Sequence, residues 1–133
     1  MPEETAAERE VRELHAFFVD WYCGRDASLE RLRAALADDF RMIAPSGDRL
    51  DRERVIGMVA DNREAYAEGG FDIAIEGVEV RQATETLVVL EYEEHQDRPG
   101  ERDVRISTVA FRAEPSAPNG WAWVHLQETA ADQ

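Results

Sequence analysis

Chemistry in this chain concentrates near its end, where Trp121-Ala122-Trp123-Val124-His125-Leu126-Gln127-Glu128-Thr129 alternates apolar and polar types with a period of two. In a strand, that period sets Trp121, Trp123, His125 and Gln127 on one side and Val124 and Leu126 on the other. An imidazole and an amide sharing a face with two indoles read as the wall of a cavity, backed by an aliphatic packing surface. Within such a wall His125 can relay a proton near pH 7 as the candidate acid/base residue. Its competing role is to hydrogen-bond Gln127 or Tyr92 and tighten the wall, because no carboxylate is identified that would orient it. Arg105, on the preceding strand, is the second catalytic candidate. An inward guanidinium binds a carboxylate or stabilises an enolate oxygen by a bidentate contact, whereas an outward one would pair with Glu91 or Glu93. Tyr22 and Tyr92 could donate hydrogen bonds from a pocket rim, doubling as packing residues at element ends.

Composition excludes several other chemistries. All 15 basic residues are arginine, against 29 acids and a net charge of −14. That sign repels phosphate backbones and anionic lipid, so neither nucleic acid nor a membrane surface is an expected partner. The lone Cys23 has no second thiol for a disulfide or a Cys-x-x-Cys site, and reads as a small buried apolar residue. His15, His95 and His125 lie on different elements without His-x-x-x-His spacing, so no metal or other cofactor is expected. Glu91, Glu93, Glu94, His95 and Asp97 read as a solvated strand edge that discourages further pairing. No Gly-rich phosphate loop or Gly-x-Ser-x-Gly elbow occurs. The acidic start and the lack of a long apolar run point to a cytoplasmic protein.

The elements that must position these residues are legible from periodicity. Val11, Leu14, Phe17, Phe18, Trp21 and Tyr22 predict a helix from Thr5 to Tyr22, stopped by Gly24. Ser28 caps a second helix running through Ala37, with Leu29, Leu32 and Leu36 facing in. Phe40, Met42 and Ala44 alternate as a first strand, turned at Pro45-Ser46-Gly47-Asp48. Asp51 caps a third helix carrying Val55, Met58, Val59, Asn62 and Tyr66, ended by Gly69-Gly70. Three alternating runs, 71–83, 86–96 and 103–113, precede the terminal strand. Three helices followed by an antiparallel meander predict one α+β domain over residues 5–130, a curved antiparallel sheet wrapped around helices to form a cone-shaped cavity.

The run Ala37-Asp38-Asp39-Phe40-Arg41-Met42-Ile43-Ala44-Pro45-Ser46-Gly47, the capped third helix and the final Trp-x-x-Val-His-x-x-x-Thr resemble the nuclear transport factor 2-like superfamily. Within it, the SnoaL-like domains and the association domain of calmodulin-dependent kinases are most similar, over Glu8 to Thr129. The resemblance implies the cone fold and a small apolar or aromatic ligand, bound by Phe18, Tyr22, Met42, Tyr92, Ser107, Phe111, Trp123 and Gln127. Function is open between cofactor-free isomerase, cyclase or dehydratase chemistry and a non-catalytic assembly or ligand-sensing module. Ketosteroid isomerase chemistry is not implied. Its base would fall at Ala44, its tyrosine near Phe18 and its second acid near Thr108 or Val109. The apolar outer residues Val104, Ile106, Val124 and Leu126 predict a homodimer through the sheet, as is usual in such proteins.

Overall fold

Thr5 opens the first helix in extended geometry, its hydroxyl accepting from the Glu8 amide at 3.1 Å, and α1 runs Ala6–Tyr22. Its inward stripe buries Val11, Leu14, Phe17 and Trp21 at 5% exposure or less, each such side chain contributing roughly 2 kcal/mol of transfer free energy. The computed structural model describes residues 4–131, so the acidic start at Met1, Pro2 and Glu3 lies outside the described residues. After α1 come α2 (Glu30–Ala35), β1 (Leu36–Ile43), β2 (Arg49–Asp51) and α3 (Arg52–Asp61). Then β3 (Asp72–Ala83), β4 (Leu87–Arg98), β5 (Glu101–Ala113), a one-turn 3-10 segment (Pro118–Gly120) and β6 (Trp121–Ala130) complete the order.

The six strands form one sheet in the order β2-β1-β6-β5-β4-β3. The meander from β3 to β6 is antiparallel as expected, but β1 lies parallel to β6. The chain reaches that position through the α3 and β3–β5 excursion, a connection long enough for a parallel pair. The concave face carries Leu90, Tyr92, Val109, Phe111 and Trp123, all at 1% exposure or less, and α1 lies across it.

Four boundaries differ from the pattern reading. Helix α2 stops at Ala35 because Leu36 already pairs with Trp123 of β6. The three-residue β2 was too short to show a period; Leu50 is its single buried residue. Helix α3 stops at Asp61, eight residues before the glycines. Beyond it, the amides of Glu64 and Tyr66 bond the Trp21 and Tyr22 carbonyls, at 3.3 and 2.8 Å, so this turn satisfies the open end of α1 instead of extending α3. Its buried face also includes Ile56, which the spacing reading passed over.

The fourth difference reverses the phase of β6. Phe111 pairs with Trp123 while the next residue back, Ala110, pairs with His125, so Val124 is an extra residue in β6. A bulge of this kind shifts every later side chain to the opposite face. Trp123, Leu126 and Glu128 therefore point inward, all at 8% exposure or less, and Gln127 is exposed. The expected placement of His125 and Gln127 in the cavity wall, and of Leu126 outside, is corrected by this one residue.

Candidate functional site

Between α1, α3 and the concave face lies a cavity of about 320 Å³. Its walls are apolar: Leu14, Phe18, Leu32, Phe40, Met42, Val55, Val59, Ile73 and Leu126 among them. Its polar groups are Tyr22, Asn62, Gln96 and, most conspicuously, four ionisable side chains, His15, Glu94, Arg105 and Glu128.

These four come from four elements, α1, β4, β5 and β6, and they meet as two pairs. His15 lies one turn after Val11 on the buried stripe of α1. Its Nδ1 faces the Val11 carbonyl at 2.7 Å and its Nε2 faces Glu94 Oε1 at 3.1 Å. Both partners offer acceptors, so the imidazolium, with a proton on each ring nitrogen, is the form that satisfies both contacts. Burial alone would lower its pKa; the charge and hydrogen bond of Glu94, with the Val11 carbonyl, raise it instead. Burial would likewise raise Glu94, but the His15 charge and hydrogen bonds from His15 and Gln96 carry it down to about 2. Gln96 Nε2 donates to Glu94 Oε2 at 2.6 Å.

The second pair is Arg105, whose Nη1 donates to Glu128 Oε1 at 3.0 Å. Burial and the nearby Glu94 charge push Glu128 up to about 7, against the pull of Arg105 and His15. Burial works against Arg105, but the charges of Glu128, Glu94 and Asp103 raise it. A carboxyl group that titrates near neutrality beside a fixed guanidinium is suited to give and take a proton. Two further hydroxyls sit nearby. Tyr92 and Ser107 face each other across the β4–β5 ladder, both buried, and neither oxygen makes a hydrogen bond of good geometry. Burial raises Tyr92 well above its ordinary range, and burial takes Tyr22 to about 12.

Of the expected site residues, Phe18, Tyr22, Met42, Arg105 and Trp123 line the cavity. Phe111 supports it from behind, edge-on to Trp123 with ring centroids 4.9 Å apart. Tyr92 lies behind His15, its ring centroid 5.6 Å from the imidazole. His125 and Gln127 are on the other face, His125 between Ala110 of β5 and Arg41 of β1. Arg105 does face inward, and its partner is Glu128 rather than Glu91 or Glu93.

Pattern reading missed His15, Glu94 and Glu128. Glu94 was grouped with a solvated edge, although in β4 it continues the inward series Leu90, Tyr92, Glu94; that alternation was the available signal. Glu128 became visible only through the bulge. Glu10, also missed, is fully buried with four donors on it. They are both Arg31 Nη atoms at 2.6 and 3.1 Å, Asn119 Nδ2 at 3.0 Å and Trp123 Nε1 at 2.9 Å. It anchors the indole that forms one cavity wall. Glu76, Glu93 and His95 bring ligand atoms within 4.8 Å of one another, but outside the cavity, with His95 Nε2 already 2.9 Å from Glu93.

The family model for the SnoaL-like domain matches residues 11–132. The chain belongs to the SnoaL-like domain family. Among solved structures, an NTF-2-like protein of unknown function from Pseudomonas aeruginosa is similar at 29% identity and TM-score 0.87, covering 96% of this chain and 99% of that one. The CaMKII hub of S. rosetta is similar at 14% identity and TM-score 0.79, over 98% of this chain and 100% of that one. An NTF2-like protein from Cytophaga hutchinsonii is similar at 15% identity and TM-score 0.64, over 93% and 98%. No curated protein matches the sequence. The latter two likenesses concern fold alone. They agree with the cone-type α+β architecture of this SnoaL-like domain. No helix among its described residues is long and apolar enough to cross a membrane.

Proposed function

We propose that this SnoaL-like domain binds a small, mostly apolar molecule in the cavity beneath α1 and moves a proton on it without a cofactor, with Glu128 as the proton carrier. The observation behind this reading is the burial of two acid–base pairs, His15 with Glu94 and Arg105 with Glu128, at one polar region of an otherwise apolar cavity. Apolar walls desolvate the bound molecule and strengthen the field of the charged groups. Glu128 exchanges its proton near neutral pH, Arg105 holds that carboxyl in place and offsets negative charge developing on the ligand, and His15 with Glu94 supplies a fixed dipole. Isomerisation, cyclisation and dehydration all use such a transfer. Ala44 lines the cavity without a carboxylate, so the ketosteroid-type base has no counterpart and Glu128 acts from a different strand.

Deuterium exchange into the α-carbon of 2-tetralone, followed by NMR, tests the transfer itself. Wild-type protein accelerates exchange, with a rate that rises through about pH 7. Glu128→Gln lowers the acceleration by about 10²–10⁴-fold while melting normally. Equal exchange by Glu128→Gln and wild type would remove Glu128 from this role.

A second reading, self-assembly through the outer sheet face, draws on Ile106 at 49% exposure and Leu87 at 40%. By alternation they share that face with Val89, Val104 and Ala110. The two readings are compatible, because the cavity opens on the opposite face of the sheet.

A further inference from the structure

We infer that the cavity takes a lipophilic carboxylate, seated on Arg105, and that its binding draws one proton from solvent onto Glu128. The inference rests on the cavity reading above and names the polar group of its ligand.

Glu128 occupies the place that a ligand carboxylate would take. Its Oε1 sits 3.0 Å from Arg105 Nη1, at 5% exposure, in a cavity wall. The charged and titratable groups that bear on it are His15 and Tyr22 from α1, Glu94 and Tyr92 from β4, and Arg105 from β5, which Asp103 in turn faces. Their charges form a balanced set only while Glu128 is ionised. His15 is neutralised by Glu94, and Asp103 is held by Arg98. Arg105 is left to Glu128, since its Nε reaches Asp103 only at 3.9 Å.

Protonating Glu128 removes the charge that balances Arg105 and leaves one surplus positive charge beside apolar walls. A desolvated guanidinium in that state favours an anion, and carboxylate fits its fork. The incoming carboxylate in turn disfavours ionised Glu128, which keeps its proton and donates it as a hydrogen bond to the ligand. The apolar lining from Phe18, Met42, Val59 and Leu126 selects a hydrocarbon or aromatic body behind the carboxylate.

Calorimetry with 2-naphthoate in two buffers of different ionisation enthalpy counts the protons, and 2-acetylnaphthalene serves as the neutral control. At pH 8, naphthoate binding takes up about one proton, and at pH 5.5 close to none. Because only the protonated fraction of Glu128 is competent, naphthoate binds about tenfold more weakly at pH 8 than at pH 6. Glu128→Gln abolishes the proton uptake and the pH dependence, and Arg105→Met abolishes naphthoate binding while leaving 2-acetylnaphthalene bound. Binding of 2-acetylnaphthalene without naphthoate, or naphthoate binding at pH 8 with no proton uptake, overturns this inference and leaves the cavity reading intact. Binding of neither compound overturns both.

Discussion

At the scale of single residues, the site contains one carboxylate pushed down and another pushed up within the same polar cluster. Glu94 sits against an imidazolium and is carried to about 2, while Glu128 faces Glu94 and is carried up to about 7. Each has one cation at close range, but Glu94 is bonded on both oxygens, by His15 on Oε1 and by the Gln96 amide on Oε2, while Arg105 donates to Oε1 of Glu128. Of two nearby carboxylates the better hydrogen-bonded one keeps its charge and raises the other. The consequence for stability follows from the signs. His15 is raised above 6.5, so its contribution is fully present below that value and fades as pH rises through its folded value. Glu128 is raised above 4.5, so ionisation favours the unfolded chain increasingly between pH 4.5 and about 7. Both groups thus weaken the fold between pH 5 and 8, Glu128 by up to about 3 kcal/mol. Glu94 acts oppositely, its contribution being lost only as pH falls from 4.5 toward 2. Urea midpoints taken from pH 5 to pH 8 should fall, and Glu128→Gln should flatten that decline. An unchanged slope in the variant would show that Glu128 ionises normally in the folded protein.

At the scale of elements, Glu10 does for the fold what Glu94 does for the site. Its carboxylate on α1 collects Arg31 from α2, Asn119 from the 3-10 segment and Trp123 from β6. Asn119 reaches it from a left-handed conformation, φ 58°, which asparagine tolerates better than most residues. Glu10 is fully buried while Arg31 is about a quarter exposed, and removing the shared carboxylate leaves Arg31, Asn119 and Trp123 without their acceptor. Glu10→Ala should therefore cost about 3–5 kcal/mol in chemical denaturation. The variant should also free the Trp123 indole, which would appear as a shift in tryptophan emission. A cost under about 1 kcal/mol would mean that Arg31 finds equivalent solvation elsewhere. The β6 bulge is the other decisive element. It lets Trp123 and Leu126, three positions apart, share the concave face, and it delivers Glu128 to Arg105.

At the scale of the whole molecule, the two faces of the sheet divide the two proposed roles. The concave face is closed by α1 and holds the acid–base cluster. The outer face is open and mixed, with Ile106, Leu87, Val89 and Ala110 among Thr108, His125 and Gln127. If copies of the chain assemble through it, Ile106→Asp should convert a dimer to a monomer in sedimentation while 2-naphthoate binding persists. A wild-type monomer at micromolar concentration would exclude assembly through this surface. The fold that separates these faces was largely readable. The capped α1, the Asp51 cap of α3 and the four long strands rest on local periodicity and capping, which depend on neighbours within a few residues. Those local signals, together with the final strand motif, also sufficed to mark the SnoaL-like architecture, but they left Arg105 open between an inward position and an outward pairing with Glu91 or Glu93. What only the tertiary structure decided was which polar residues meet. His15 and Glu94 are 79 positions apart and Arg105 and Glu128 are 23 apart; their pairing depends on how α1 crosses the sheet and on one inserted residue in β6. A bulge leaves no periodic trace before the partner strand is known, because it is defined by two residues on one strand opposing one on the other. His125 was therefore placed on the wrong face by a sound local rule, and the acid–base pair appeared only once β5 and β6 were aligned.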